Sequence, residues 1–213
     1  MATDTTQDPD AWNIAVLGAP GVGKTRFFVL DDFEVRGPPF PRLAQGFSRK
    51  LAVDGQNTVV TLVDIYQLQR TQPSQNFHPN ANLPSAGTNN EAAVQAMLRE
   101  ADGFILMYST TSPYSLQDVV AYMRAVRRAK ATYTQNPVLS LVGNQSDRSA
   151  QDHEVSRAEG EALARELDCL FAEVSAKTGY GVEAIVTDLV RVLRARKQSG
   201  RKARGIWDYF VRR

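Results

Sequence analysis

The chain has 213 residues, 43% of them hydrophobic, and its 25 Lys and Arg stand against 23 Asp and Glu for a net charge of +2. That length and apolar content fit one domain with a buried core, and no run approaches the roughly 18 apolar residues that a membrane span needs. A single cysteine, Cys169, permits neither an internal disulfide nor a cysteine metal cluster, and is expected as a buried thiol of a cytoplasmic protein.

Residues 1–11 are polar and acidic, unlike an export signal, and read as a flexible N-terminus. The apolar run 12–17 has the length of a strand buried on both faces, and a helical pattern over 23–30 follows it. Segment 32–47 has no period and holds Pro38, Pro39 and Pro41. Across 51–63 two strand-like runs flank Asp54-Gly55, a dipeptide suited to a type I′ hairpin turn. Segment 71–90 is rich in Asn, Pro, Ser and Gln and buries too little apolar surface to offset its ordering entropy, so a mobile insert is expected there. Helical patterns at 91–101, 113–131, 156–167 and 182–196 then alternate with apolar runs at 104–107, 138–142 and 170–174. Ser112 before Pro113 marks one helix start, and Ser156 with Glu159 forms a capping box at another. Such alternation requires right-handed crossovers. The expected architecture is a mainly parallel sheet with one antiparallel edge strand and helices on both faces, binding its ligand beyond the carboxyl ends of the strands.

Charge is uneven: residues 194–213 hold eight Lys or Arg and one Asp, a balance of +7 that leaves −5 for the remainder. The tail 197–213 mixes these cations with Ile206, Trp207, Tyr209, Phe210 and Val211. It has no Cys-a-a-X box, and Ala2 stands where N-myristoylation needs glycine, so no lipid anchor is expected. A basic aromatic tail suits reversible, peripheral contact with an anionic membrane surface, or docking on the body or a partner. The acidic body argues against nucleic acid as a partner. His78, in the insert, and His153, in a polar loop, are expected on the surface.

The first strand runs into Gly18-Ala19-Pro20-Gly21-Val22-Gly23-Lys24-Thr25, which fits G-x-x-x-x-G-K-[ST] and opens a helix. This spacing lets successive backbone N–H groups and a helix N-terminus surround an anion. Lys24 is placed for the β and γ phosphates and Thr25 for Mg²⁺. The loop by itself leaves ATP and GTP both open.

Two later strand ends decide between them. The run 138–142 leads into Gly143-Asn144-Gln145-Ser146-Asp147, and the run 170–174 leads into Ser175-Ala176-Lys177. With these motifs in this order, the chain over 12–196 resembles the Ras superfamily of small GTPases. The resemblance implies an α/β P-loop NTPase fold, a Ras-like six-stranded mixed sheet with helices on both faces, binding GTP and GDP with Mg²⁺. It implies that Asp147 accepts from guanine N1–H and the 2-amino group, which adenine does not present. Ala176 N–H would donate to guanine O6, Lys177 would pack its stem on the base, and Asn144 would tie this loop to the phosphate loop. Gln145 stands where lysine is commoner, as it does in Rho-type members. Asp64, at the end of the strand, matches the acidic residue that reaches Mg²⁺.

The switch segments depart from the family pattern. Gln67 occupies the place of the glycine that contacts the γ-phosphate, and Leu68 that of the glutamine that orients water. Gln67 and Gln69 flank the lost position and are the candidate substitutes. No threonine occurs between Arg26 and Asn57, where the family carries one that caps Mg²⁺; Pro41 or Arg42 aligns with it, and Ser48 is poorly placed. Phe33 is a candidate either to flank the base or to pack in the core. Pro20 crowds the approach of an arginine finger and removes an N–H. Two readings follow: a GDP/GTP signalling switch with weak hydrolysis that meets effector and regulator proteins, or a pseudo-GTPase scaffold that holds guanine nucleotide without cycling. An ATP-dependent kinase or ATPase is disfavoured by Asp147 and the 175–177 loop.

Overall fold

The computed structural model describes residues 10–29, 34–36, 46–65, 89–131 and 136–199. The apolar runs become strands that extend slightly beyond their hydrophobic cores: β1 (Asp10–Gly18), β3 (Gly46–Val53), β4 (Gln56–Asp64), β5 (Gly103–Ser109), β6 (Val138–Asn144) and β7 (Leu170–Glu173). These are the six strands of the expected mixed sheet. A further three-residue strand, β2 (Glu34–Arg36), lies in the segment whose sequence shows no period, and the sheet order is β2-β3-β4-β1-β5-β6-β7. β3 therefore does not form the edge as expected; β2 covers it, antiparallel, through Val35 opposite Phe47. The hairpin between β3 and β4 turns at Asp54 and Gly55, both at positive φ (51° and 77°), as a type I′ turn requires.

The helices are α1 (Lys24–Val29), α2 (Asn89–Glu100), α3 (Pro113–Ala129), α4 (Arg157–Leu167) and α5 (Val182–Ser199). α2 starts two residues earlier than the expected 91, and α5 runs three past the expected 196. Ser112 caps α3 by accepting from Ser115 N–H, and Ser156 and Glu159 close the capping box of α4 in both directions.

Side chains alternate across the sheet, so β1 feeds two cores. Ile14 and Val16 face α1 and α5, with Phe27, Phe28, Val186 and Leu189; Ala15 and Leu17 face the other layer, with Met97 and Leu98 of α2 and Val119 and Met123 of α3. Cys169 is buried in the second core, and burial pushes its thiol up to about 12, so it is an inert packing group. No helix among the described residues is long and apolar enough to cross a membrane.

α5 is fastened to the hairpin by two cations, Arg191 from the expected helix and Arg194, which the sequence alone counts with the basic C-terminal segment. Arg194 is only 9% exposed; its Nε donates to Asp10 Oδ2 at 2.9 Å and its Nη1 to the Val53 carbonyl at 2.7 Å. Arg191 makes a forked contact with Asp54, with 2.7 Å from Nη2 to Oδ1. Truncation in Arg194→Ala removes the bond to the Val53 carbonyl and leaves the Asp10 carboxylate without this cation, and should cost about 1–3 kcal/mol. Urea unfolding checks this; an unchanged midpoint would show that the clamp contributes nothing.

Candidate nucleotide site

Among the described residues, the loops expected to meet a ligand lie at one rim, because β1, β4, β5, β6 and β7 run parallel and end there together. After β1 the chain turns through Ala19–Gly23 into α1. Two glycines in this turn are sterically required. A Cβ on Gly18 would collide with the Met107 carbonyl; one on Gly23, which sits at φ +96°, would collide with Asn144 Nδ2. The first and last glycines of the phosphate loop thus reflect close packing against β5 and the end of β6.

Lys24 folds back across the loop. Its ammonium donates to Gly18 O at 2.6 Å and to Ala19 O at 2.8 Å, and the residue is 6% exposed. Burial lowers its pKa, and the nearby charge of Asp64 opposes that shift. Asp64, 3% exposed, closes β4 in register with Val16 of β1, one strand over from the phosphate loop. Thr25 and Pro20 are exposed at the rim.

The base side is assembled by side-chain bonds. Asn144, 2% exposed, donates from Nδ2 to Val22 O at 2.7 Å, and its Oδ1 accepts Ala176 N–H at 2.8 Å. The expected tie between Asn144 and the phosphate loop is present. Ala176 N–H, the group expected to meet guanine O6, bonds the Asn144 amide oxygen here. Ser175 Oγ donates to Asp147 Oδ1 at 2.6 Å and accepts from the N–H groups of Lys177 and Thr178, so Ser175 aims the carboxylate. That hydrogen bond, aided by Lys177 and Arg148, holds Asp147 below the usual carboxylate range and keeps it an acceptor. Lys177 is largely exposed, with Nζ 3.7 Å from Asp147 Oδ2. Gln145 takes a left-handed φ of +72° and donates from Nε2 to Gly21 O at 3.3 Å.

Sequence reasoning passes over one group: Ser109, Thr110 and Thr111 after β5. Thr110, fully buried, bonds the Asn144 carbonyl through its N–H (3.0 Å) and its hydroxyl (3.2 Å), while its own carbonyl accepts Glu154 and Val155 N–H. These last bonds draw the 145–155 loop inward, so His153, expected on the surface, is half-buried. The readable signal is a run of hydroxyl residues at the carboxyl end of an apolar strand. Phe33, Pro41, Arg42, Gln67, Leu68, Gln69 and His78 lie outside the described residues, as do most of the 71–90 insert and 200–213.

Comparison with known sequences agrees with this geometry. The sequence model of the Ras family matches residues 56–195. Protein ras-2 of Neurospora crassa is 31% identical over 89% of this chain and 82% of its own length. Ras-like protein 1 of Pyricularia oryzae is 31% identical over 87% of this chain and 76% of its own. The human GTP-binding protein RAD is 29% identical over 90% of this chain and 55% of its own.

The Ser175–Asp147 bond generates a pH prediction. A carboxylate whose folded pKa is depressed contributes fully above its unfolded value, and that contribution is lost as pH falls through the folded value. Ser175→Ala removes the largest cause of the depression, so the acid edge of guanine-nucleotide binding should move to higher pH. Affinity titrated between pH 3 and 7 checks this, and coincident wild-type and variant curves would remove Ser175 from the role.

Proposed function

The chain belongs to the Ras family of small GTP-binding signalling proteins, and from that premise we propose that it is a GDP/GTP-dependent switch with weak GTP hydrolysis. The observation that carries the guanine assignment is the ionised Asp147 carboxylate, aimed by Ser175 and set beside a phosphate loop tied to it through Asn144. A carboxylate held this way pairs two donors on guanine. Adenine lacks that pattern and leaves the acceptor unpaired, a penalty that separates such ligands by roughly 10⁴.

Thr25 and Asp64 are the residues that would hold Mg²⁺. Their chemistry suits it, one hydroxyl and one buried carboxylate flanking the phosphate loop. No group of three or more His, Cys, Asp or Glu among the described residues forms a metal cage, so phosphate oxygens and water would complete the shell, as Mg²⁺ prefers. Bound there, the ion would neutralise charge on the β and γ phosphates. Lys24 contributes a second cation, and the backbone N–H groups between Gly21 and Thr25 orient the phosphates.

Weak hydrolysis follows from residue types. Leu68 cannot hydrogen-bond water, Gln67 replaces the γ-phosphate glycine, the 26–57 stretch offers no threonine, and Pro20 crowds the rim. In this reading the partners are effector and regulator proteins, and 197–213 supplies positive charge for an anionic membrane surface.

Asp147→Asn exchanges one acceptor for a donor and should move preference from guanine to xanthine nucleotides; unchanged GDP affinity in competition binding would refute the assignment. Single-turnover loss of GTP with Mg²⁺ should run at about 10⁻⁴ s⁻¹ or slower, the unassisted scale of this fold. A much faster rate would refute impaired hydrolysis, and its loss in Gln67→Ala or Gln69→Ala would identify the compensating group. Binding of GDP with no binding of GTP would instead make the chain a scaffold.

A further inference from the structure

Gln145 holds a backbone conformation that residues with a Cβ disfavour by about 1–2 kcal/mol, at φ +72° in the loop that carries Asp147. Its carbonyl accepts Arg148 N–H at 3.0 Å and lies 3.3 Å from the Thr110 hydroxyl. Its side chain spans two elements. Oε1 lies 3.0 Å from Ser109 Oγ and 3.2 Å from Thr111 Oγ1, and Nε2 reaches the Gly21 carbonyl at 3.3 Å. The two hydroxyls are 2.8 Å apart, and Thr111 N–H donates to Ser109 Oγ at 3.2 Å, which fixes the pair on the chain that leaves β5.

We infer that Ser109 and Thr111 are positioning residues for nucleotide retention: their hydroxyls lock the Gln145 amide, which straps the base loop to the phosphate loop at Gly21. The inference rests on the guanine-nucleotide reading of the pocket. The amide has one productive orientation. Gly21 O is solely an acceptor, so Nε2 must face it, and Oε1 then turns to the hydroxyl pair, in which one hydroxyl donates to Oε1 while the other donates to its neighbour or to Oε1 in turn. Gly21 itself sits at φ +82°, with open space on the side where a Cβ would be, so no neighbour restrains it from that side. Asn144 grips the neighbouring Val22 carbonyl from the buried side, and Gln145 grips Gly21 from the half-buried side. Without the hydroxyls, a half-buried amide gains rotamers and solvent partners, its long bond to Gly21 O lapses, and the loop over the phosphates opens more often.

The test is the release rate of a fluorescent GDP analogue from the full chain with Mg²⁺, beside the urea unfolding midpoint. Ser109→Ala/Thr111→Val should release nucleotide roughly tenfold faster, as expected for loss of a supported hydrogen bond, with the unfolding midpoint unchanged. Thr111→Ser, which keeps the hydroxyl, should stay near the wild-type rate. Adding Gln145→Ala to the double variant should accelerate release no further than Gln145→Ala alone, because all three act through one strap. If the double variant is destabilised, the two single variants carry the same comparison. Additive acceleration, or release unchanged in the hydroxyl variants while the wild type retains nucleotide, overturns this inference alone. A wild-type chain that retains no guanine nucleotide overturns the reading of the pocket with it.

Discussion

The geometry of the site depends on the side-chain amide of Asn144. It joins the phosphate loop, through Val22 O, to the loop after β7, through Ala176 N–H, across 122 residues of sequence in the first case and 32 in the second. An amide is planar, with one donor end and one acceptor end, so these two partners set its orientation without ambiguity. Because it is buried, loss of either partner would leave an unsatisfied polar group, which adds cost to any separation of the loops. The same amide lies so close to Gly23 that no side chain fits there. One residue type at position 23 and one at position 144 are therefore a single constraint seen twice.

Around that amide the site is built mostly from short, neutral or self-satisfied groups. Ser175 aims Asp147, Thr110 anchors the Asn144 carbonyl, and Lys24 lies on two carbonyls of its own loop. Such bonds hold the polar groups in place before any ligand enters, which reduces the ordering a ligand must impose. The cations that dominate the charge balance act elsewhere. Arg191 and Arg194 are engaged with Asp54 and Asp10 at the other end of the sheet, and Arg194, counted with the C-terminal charge, thus belongs to the fold.

Much of this was legible in the sequence, for definable reasons. Strands buried on both faces leave uninterrupted apolar runs, and a loop that wraps an anion must use glycines at set intervals, so β1, β5, β6 and Gly18 to Thr25 announce themselves. Asn144, Asp147 and Ser175 were legible as a set because their order and strand-end placement restrict the alternatives. β2 was not, since three residues show no period, and its pairing depends on β3 as a template. Ser109 to Thr111 were missed because hydroxyl residues are common on surfaces, and only adjacency to Asn144, Gln145 and the 154–155 backbone gives them a role. Arg194 read as tail charge because burial of a helix face near its end is a tertiary fact; its partner Asp10 is 184 residues away. The inward turn at His153 likewise draws on Thr110, 43 residues earlier, whose carbonyl accepts Glu154 and Val155 N–H.

The position of α5 has a consequence for how the molecule comes into being. Every strand described precedes this helix in the chain, yet the layer over Ile14 and Val16 of β1, to which α1 brings Phe27 and Phe28, keeps one face uncovered until α5 adds Val186 and Leu189. During vectorial synthesis the sheet and the α2–α3–α4 layer can pair and pack while that face remains open to water. The apolar surface left bare in that interval sits directly behind the phosphate loop. Chaperone occupancy on the nascent chain should accordingly persist until α5 has emerged, and competence to hold a ligand should appear in the same step in which that surface disappears.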